Sequence, residues 1–219
     1  MFNKENSVLL YKDVEISLGD VTDLDLVYPS LVESFPPCER KSYEYIKDLM
    51  IEIDYKLVIA KHKIDKQLIG FAFLFIEESE KMLWLDFIAI EEKFQSLGYG
   101  SILFKGIIEL LGSDKKGMFL EIEKPDDINL NRSKRVVFYN RLGCITLDCL
   151  YYLPTPIIES PLEMLLLYKP ISKDKVIPSD VVKKVIIAEH KNVHKDITLG
   201  DEILSLFIDG VGDIEVGKH

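Results

Sequence analysis

Residues 83–104 constrain the fold more than any other segment of this chain. They open with the apolar run LWLDFIAI (Leu83–Ile90), pass through the hexapeptide QSLGYG (Gln95–Gly100), and end in apolar residues at helical spacing. An apolar run rich in β-branched and aromatic residues predicts a buried strand. The segment therefore predicts a strand, a glycine-containing loop and a helix at Gly98–Leu111, ended by the glycine that follows.

The loop Gln95–Gly100 has the composition of an anion-binding turn. Its two glycines allow positive φ and a close approach of the backbone to a ligand. Backbone amides from Ser96 to Ser101, together with the partial positive charge of the helix N-terminus, would suit a pyrophosphate. No Gly-Lys-Ser/Thr follows, which excludes a Walker loop, and the three-glycine spacing of a dinucleotide fingerprint is missing. The alternative is a tight strand-to-helix turn that binds nothing.

The charge balance limits the partners of the chain. Its 219 residues include 27 basic and 37 acidic side chains, which gives a formal net charge of −10. An acidic surface repels phosphate backbones, so nucleic acid is not expected as a partner. The same field weakly favours small cationic substrates such as amines.

Other features argue against a metal, redox or membrane protein. The cysteines, Cys38, Cys144 and Cys149, form no CxxC pair, and the sequence has neither a signal peptide nor a run of about 20 apolar residues. His190 and His194 have the spacing of a metal-binding pair, but without an acidic ligand motif we expect a solvated helix face. The sequence thus predicts a cytoplasmic protein with reduced thiols, no membrane association and no metal site.

Short strands and helices surround the central segment. Apolar strands at Lys56–Lys61, Leu68–Ile76 and Leu83–Ile90 follow one another with short connections, which predicts an antiparallel meander. The pattern as a whole predicts an α/β (α+β) fold in which a mixed, mostly antiparallel central sheet is flanked by helices. The other predicted elements are strands at Val14–Leu18, Met118–Ile122, Cys144–Leu153 and Pro161–Tyr168, and helices at Thr22–Glu33 (capped by Asp20), Glu39–Ile51 and Lys134–Leu142.

The chain changes character after Lys169-Pro170. Residues 1–170 carry all the elements named so far and are predicted to form one domain. Residues 171–219 contain a predicted helix at Ser179–His190 and a weak apolar segment at Glu202–Ile208. We expect a partly helical C-terminal extension and not a second full domain.

Four segments in order resemble the GNAT superfamily of acyl-CoA-dependent N-acyltransferases, over about residues 14–169. LDFIAI (Leu85–Ile90) is similar to the central strand of that family, and QSLGYG is similar to its pyrophosphate loop, Q/R-x-x-G-x-G/A. FLEIEK (Phe119–Lys124) resembles the next strand, which in the family splays away to admit the pantetheine arm. FYNRLGC (Phe138–Cys144) resembles a characteristic helix end. The resemblance implies a GNAT-like domain at residues 1–170.

The resemblance also implies that acetyl-CoA is the acyl donor. Backbone groups of the central strand would bind pantetheine, and the loop amides would bind the pyrophosphate. The implied cofactor-binding residues are Ile88, Ala89, Ile90, Gln95, Ser96, Leu97, Gly98, Tyr99, Gly100, Ser101 and Asn131. The chain departs from the family at Leu97, where a basic residue is common, and at Arg132 and Arg135, where Asn and Ala are common.

Three residues are candidates for acid–base catalysis of amine attack on a thioester. Asp86 is a carboxylate in an apolar strand, which is costly unless it is paired or functional, and the resemblance implies an acidic general base at or near it. Glu121 on the next predicted strand is the other candidate base. Tyr139 matches the family tyrosine that protonates the leaving thiolate. The alternatives are, respectively, a structural carboxylate, a solvated strand face and an aromatic core residue.

Four residues are candidates for acceptor binding. Glu39, Arg40 and Tyr43 lie where the family lines its acceptor pocket, although an ordinary surface loop is the alternative. Glu123 shares a strand face with Glu121 and could hold an amine.

Together these features predict an N-acetyltransferase that transfers the acetyl group of acetyl-CoA directly to a primary amine of a small molecule. An inactive GNAT-like module that only binds acyl-CoA is one alternative, motivated by Leu97, Arg132 and Arg135. A protein or peptide N-acetyltransferase is a second, and an interaction protein whose extension docks a partner is a third. A homodimer is compatible with all of them.

Overall fold

The computed structural model describes residues 8–126, 130–153, 162–197, 204, 208 and 210–216. Short 3-10 helices lie at Val21–Asp23 and Glu92–Phe94. The helices are α1 (Leu24–Ser34), α2 (Tyr43–Glu52), α3 (Tyr99–Leu111), α4 (Leu130–Arg141) and α5 (Ser179–Val193). The strands are β1 (Val8–Tyr11), β2 (Val14–Gly19), β3 (Tyr55–His62), β4 (Leu68–Glu77), β5 (Met82–Ile90), β6 (Gly117–Glu123), β7 (Ile145–Thr146), β8 (Tyr151–Leu153), β9 (Leu162–Pro170), β10 (Val176–Ile177) and β11 (Ile214–Glu215).

The chain divides into two compact units. The first unit comprises Met1–Ile76 and Leu85–Asp114, and the second comprises Glu77–Trp84 and Lys115–His219. Strand β5 therefore begins in the second unit and continues in the first. The predicted division of the chain into residues 1–170 and 171–219 stays a prediction.

The first unit is built on strands in the order β1-β2-β3-β4-β5. The pairs β1–β2, β2–β3 and β3–β4 are antiparallel, as expected for strands joined by short turns. Strand β4 buries all but its two end residues, and β3 buries five of its eight residues. Helices α1 and α2 bury apolar stripes that include Leu24, Val27 and Leu31 on α1 and Ile46 and Leu49 on α2.

Helix α3 is fixed to the β1–β2 hairpin at both of its ends. Tyr99 in its first turn donates a hydrogen bond to Asp13 in the hairpin turn, with 2.7 Å between the oxygens. Tyr11 of β1 donates to Glu109 near the end of α3, and burial together with this carboxylate raises the pKa of Tyr11 to about 12. The loop before α3 therefore ends at an anchored helix N-terminus.

The second unit is built around strand β9. It pairs antiparallel with β6 along their whole shared length, and β7 and β8 also pair with β9. The indole of Trp84 stacks on the ring of Phe119 in β6, with 5.9 Å between ring centroids. Helix α5 buries a stripe formed by Val182, Ile186 and their neighbours, and β10 pairs with β11 in a separate ribbon.

Some element boundaries differ from the predictions. Helix α2 begins at Tyr43 and not at Glu39, because Ser42 caps it by accepting a hydrogen bond from the amide of Tyr45. The predicted strand Cys144–Leu153 is interrupted, and only its ends form the short strands β7 and β8. A continuous strand was therefore the wrong prediction there.

The structure also has one more strand and a longer helix than the sequence predicted. The N-terminal strand β1 is additional to the predicted set, and α4 begins at Leu130, ahead of the predicted Lys134. The predicted cap is confirmed, since Asp20 accepts from the amide of Thr22 at 2.7 Å. The predicted apolar segment Glu202–Ile208 lies mostly outside the described residues.

The element pattern confirms the predicted mixed α/β class with a mostly antiparallel sheet flanked by helices. Among the described residues, no helix combines the length and the apolar character needed to cross a bilayer.

Candidate active site

Asp86 is enclosed by two partners that the sequence did not indicate. The Nζ of Lys41 lies 3.0 Å from its Oδ1 and 2.9 Å from its Oδ2. The hydroxyl of Tyr55 donates to the same Oδ2. The side chains of Lys41 and Asp86 are only 7% and 2% exposed, so both charges are removed from water and depend on each other. The ammonium also lies 4.9 Å from the centre of the Phe87 ring.

The segment between α1 and α2 is held by several such contacts. Next to Lys41, the guanidinium of Arg40 donates to the carbonyl of Val32 at 2.8 Å, which satisfies an acceptor at the C-terminal end of α1. The hydroxyl of Tyr43 donates to Asp25 at 2.7 Å, and this hydrogen bond raises the pKa of Tyr43. The Tyr43 ring meets that of Tyr28 edge to face. The amide of Glu39 donates to Pro36 in a turn.

The loop Gln95–Gly100 has the backbone geometry of an anion site. Ser96 and Gly98 have φ values of 62° and 92°. A Cβ at Gly98 would meet no atom within 4 Å, so its positive φ, and not crowding, is what favours glycine. Gln95 donates from its side chain to the carbonyl of Ile90 at 3.0 Å and ties the loop to the end of β5.

Most backbone amides of this loop have no acceptor within the described part of the chain, although that of Gln95 donates to the carbonyl of Glu92 at 3.1 Å. Among the described residues, no protein acceptor lies in hydrogen-bonding geometry with the backbone N–H groups of residues 96–100, whereas Ser101 donates to Gly98 at 3.1 Å. Side chains do not fill the loop either, since Leu97 is exposed and the hydroxyl of Tyr99 is directed to Asp13. The arrangement fits a pyrophosphate, which accepts hydrogen bonds from such amides.

Strand β5 leads into this loop through the short 3-10 helix Glu92–Phe94. Ala89 is buried, and Ile88 and Ile90 are partly buried. A Cβ at Gly70 of β4 would lie 2.4 Å from the carbonyl oxygen of Ala89, so glycine there permits a close approach of the two strands. The predicted cofactor-binding residues of β5 and of the loop thus form one continuous stretch in the first unit.

Glu121 and Glu123 on β6 lie in different surroundings, although they share a strand face. Glu121 is partly buried, with its Oε2 shielded from solvent. Glu123 pairs with Arg132 and Arg135, the two arginines at which the chain departs from the family pattern. Arg132 of α4 approaches its Oε1 at 3.0 Å, and Arg135 pairs with its Oε2.

The arginine cluster continues beyond Glu123. Arg132 also pairs with Asp126, and the two carboxylates raise its pKa, with Glu123 contributing most. The side-chain oxygen of Asn131 accepts from Lys134 at 3.3 Å. The two arginines therefore neutralise the acidic residues around the start of α4.

Tyr139 is a buried residue of α4, 6% exposed. Burial raises its pKa, and its ring contacts that of Phe138 edge to face. The helix ends as predicted at Gly143, which has a φ of 78°. Cys144 follows and is buried as expected, and burial raises the pKa of its thiol to about 12.

The expectation of a solvated face for His190 and His194 was wrong. His194 is buried, and its Nε2 lies 2.9 Å from Oε1 of Glu189, which has no exposed surface. Burial lowers the pKa of His190, whose ring centroid is 6.0 Å from that of His194. Glu189 continues the apolar stripe of α5 through Val182 and Ile186, and that position was the available signal of burial.

Comparison with known proteins identifies the family. The model of the acetyltransferase (GNAT) family matches residues 24–143, more than half of the 219 residues. A GNAT-family protein from Bacteroides thetaiotaomicron has a similar structure, with a TM-score of 0.67 at 22% identity over 81% of this chain and 97% of the other. A comparison with curated proteins found no match.

Other solved structures share the fold at lower identity. Arabidopsis thaliana NAA60 in complex with acetyl-CoA has a TM-score of 0.55 at 15% identity, over 72% of this chain and 98% of the other. A SpeG spermidine N-acetyltransferase chimera involving Vibrio cholerae has a TM-score of 0.56 at 13% identity, over 73% and 96%. The predicted family, GNAT-like fold and acetyl donor are confirmed. The chain therefore belongs to the acetyltransferase (GNAT) family, as an acyltransferase that uses acetyl-CoA.

Proposed function

We propose that the protein transfers the acetyl group of acetyl-CoA to a primary amine of a small molecule, by direct attack of the amine in a ternary complex. The observation that carries this proposal is the loop Gln95–Gly100. The backbone amides of its residues 96–100 have no protein acceptor among the described residues, and the loop stands at an anchored helix N-terminus. Such a loop can hold the pyrophosphate of the donor.

The residues of the first unit would bind the donor. Amides of Ser96 to Gly100 would donate to the pyrophosphate, and Gln95 would keep the loop attached to β5 through Ile90. Backbone groups of Ile88, Ala89 and Ile90 would bind the pantetheine arm. Bound acetyl-CoA supplies the thioester carbonyl that the amine attacks.

Glu121 is our choice for the general base. Both oxygens of Asp86 already contact Lys41, and one also accepts from Tyr55, so this carboxylate is already occupied by partners within the fold. Glu121 shares a strand face with Glu123, whose two carboxylate oxygens are held by Arg132 and Arg135. In this role Glu121 takes the proton from the amine as the C–N bond forms.

Tyr139 is our choice for the acid. Burial raises its pKa, so the phenol stays protonated at neutral pH. The same shift makes it a weaker acid. We therefore assign to Tyr139 a hydrogen bond to the departing sulfur that becomes a proton transfer while the C–S bond breaks.

The acceptor class rests on charge. The net charge of −10 favours the approach of cationic amines. Glu39, Arg40 and Tyr43 remain proposed acceptor-binding residues, although the side chains of Arg40 and Tyr43 already have partners within the fold. Glu123 is the weakest of the set, because Arg132 and Arg135 neutralise it. A homodimer stays a prediction.

A binding module without catalysis is the second candidate. It is favoured by the occupation of Asp86, one of the two candidate bases, by Lys41, and by the occupation of Glu123, a candidate amine-binding residue, by the two arginines. Such a module would bind acetyl-CoA through the same loop and release no thiol.

An amine panel with a thiol-release assay distinguishes the two candidates. Spermidine, other polyamines, simple monoamines and short peptides would be offered with acetyl-CoA, and acetylated products identified by mass spectrometry. We expect turnover with at least one small amine, and a loss of about 100-fold or more in kcat for Glu121→Gln. The control Glu163→Gln, which changes a partly exposed carboxylate of β9 paired with Lys124, should show little change. Binding of acetyl-CoA without turnover would favour the module, and turnover on peptides alone would contradict the small-molecule acceptor.

A further inference from the structure

Helix α5 places a fully buried carboxylate beside a histidine. Glu189 lies on the buried stripe of the helix, and its Oε1 is 2.9 Å from Nε2 of His194. The side chain of His194 is 6% exposed. A buried carboxylate is costly unless a partner replaces its lost hydration. The pair therefore fixes the imidazole at the end of α5.

The same imidazole lies close to β6. A ring nitrogen of His194 and a carboxylate oxygen of Glu121 lie within 4.8 Å of each other. At that separation, away from bulk solvent, the ring can orient the carboxylate through charge or through one bridging water. His194 is thus near both Glu189, which holds it, and Glu121, to which we assign proton abstraction.

The position of His194 suits a donor to carboxylates. It follows the last residue of α5, and its backbone N–H donates to the carbonyl of His190 at 3.3 Å. The partial negative charge at a helix C-terminus favours a cation there. A protonated imidazole has a donor on each ring nitrogen, and Nε2 is the one that lies beside Glu189.

We propose that His194, held by Glu189, is a positioning residue that orients Glu121 for proton abstraction. This rests on the proposed function, in which Glu121 is the base. His194 lies outside the residues 24–143 that match the family model, so this contribution to the site comes from the C-terminal part of this particular chain. Orientation of a reacting carboxylate affects the chemical step more than it affects donor binding.

The test compares His194→Ala, His194→Gln and Glu189→Gln with the control His190→Gln on the same helix. For each variant kcat, the KM for the amine, the Kd for acetyl-CoA and the unfolding free energy are measured in the full chain. We expect His194→Ala to lower kcat about tenfold or more while the Kd for acetyl-CoA stays within about twofold. His194→Gln, which keeps an N–H donor, should recover part of the loss. His190→Gln should leave kcat unchanged.

A double-mutant cycle with Glu121→Gln separates positioning from general support of the fold. If His194 acts through Glu121, adding His194→Ala to Glu121→Gln should lower kcat little further. If the losses of kcat in the two single variants multiply in the double variant, the proposal for His194 is wrong. It is also wrong if His194→Ala leaves kcat unchanged. Either result would leave the proposed function standing. A wild-type protein that binds acetyl-CoA without acetylating any amine would instead overturn the proposed function, and the proposal with it.

Discussion

The ammonium of Lys41 lies 2.9 Å from the carboxylate of Asp86, although 45 residues separate them in the chain. The contact joins the segment between α1 and α2 to strand β5. It gives Asp86 a structural reason to be buried, which a sequence pattern alone would attribute to catalysis. Tyr55 completes the arrangement from β3.

Replacing Lys41 should destabilise the protein strongly. Lys41→Met leaves the carboxylate of Asp86 buried with Tyr55 as a remaining donor, and removal of one partner of a buried pair costs about 3 kcal/mol or more of unfolding free energy. Lys41→Met combined with Asp86→Asn should cost less than the sum of the single changes. Urea denaturation measures all three proteins.

The matched control for this experiment is Lys56→Met. Lys56 pairs with Asp54 at 2.7 Å, but both side chains are exposed, so the loss should be below about 1 kcal/mol. Equal, small effects at Lys41 and Lys56 would show that the buried pair does not hold the segment in place.

A side chain at Gly98 should weaken donor binding. Its φ of 92° is unfavourable for any residue with a Cβ, at a cost of about 1–2 kcal/mol that the loop would relieve by changing shape. We expect Gly98→Ala to raise the Kd for acetyl-CoA about tenfold, as measured by calorimetry. Gly212→Ala is the control, because a Cβ there meets no atom within 4 Å and the position does not require a positive φ. An unchanged Kd in Gly98→Ala would argue against the loop as the pyrophosphate site.

Removal of the Tyr139 hydroxyl should slow the chemical step. Tyr139→Phe keeps the ring in the core, so the fold and the Kd for acetyl-CoA should be preserved while kcat falls by about 100-fold. Tyr168→Phe is the control, since this buried tyrosine of the same unit donates to the carbonyl of Lys116 and has no proposed catalytic role. Stopped-flow thiol release compares the two. A similar kcat in both variants would exclude Tyr139 as the acid.

The stability of the second unit should depend on pH through His190. Burial lowers its pKa, against a smaller opposing effect of Glu189, so the folded protein keeps this ring neutral where the unfolded chain, with a pKa near 6.5, takes up a proton. The resulting stability is present above the unfolded pKa and is lost as the pH falls towards the folded pKa. Between about pH 7.5 and about pH 5.5, wild type should therefore lose more unfolding free energy than His190→Gln. Parallel losses in the two proteins would contradict this account.

Features that depend on adjacent residues could be predicted from the sequence, whereas contacts between distant segments could not. The strand, loop and helix from Leu83 to Leu111 follow from apolar spacing and two glycines, and the cap at Asp20 follows from its neighbours, because these depend on adjacent residues. The pairing of Asp86 with Lys41 and Tyr55 depends on how distant segments pack. The spacing of residues along the chain does not show which distant segments come into contact.

The buried position of Glu189, unlike the pairing of Asp86, could have been predicted from the sequence. This glutamate falls on the same helical face as Val182, Ile186 and Val193, so the period of α5 already indicated a buried carboxylate that needs a partner. The i,i+4 spacing of the two histidines resembles a metal pair, but the glutamate is what determines their surroundings. The contact between His194 and Glu189 follows from the position of the glutamate on the buried face of α5.

Acetyl transfer by the purified wild-type chain tests the central claim most directly. Acetyl-CoA and spermidine would be incubated with the protein, with thiol release followed by absorbance and the amine product by mass spectrometry. The account predicts one acetylated amine for each thiol released, with the rate lost in Glu121→Gln and retained in Glu163→Gln. Binding of acetyl-CoA with no acetylated product from any small amine would contradict it.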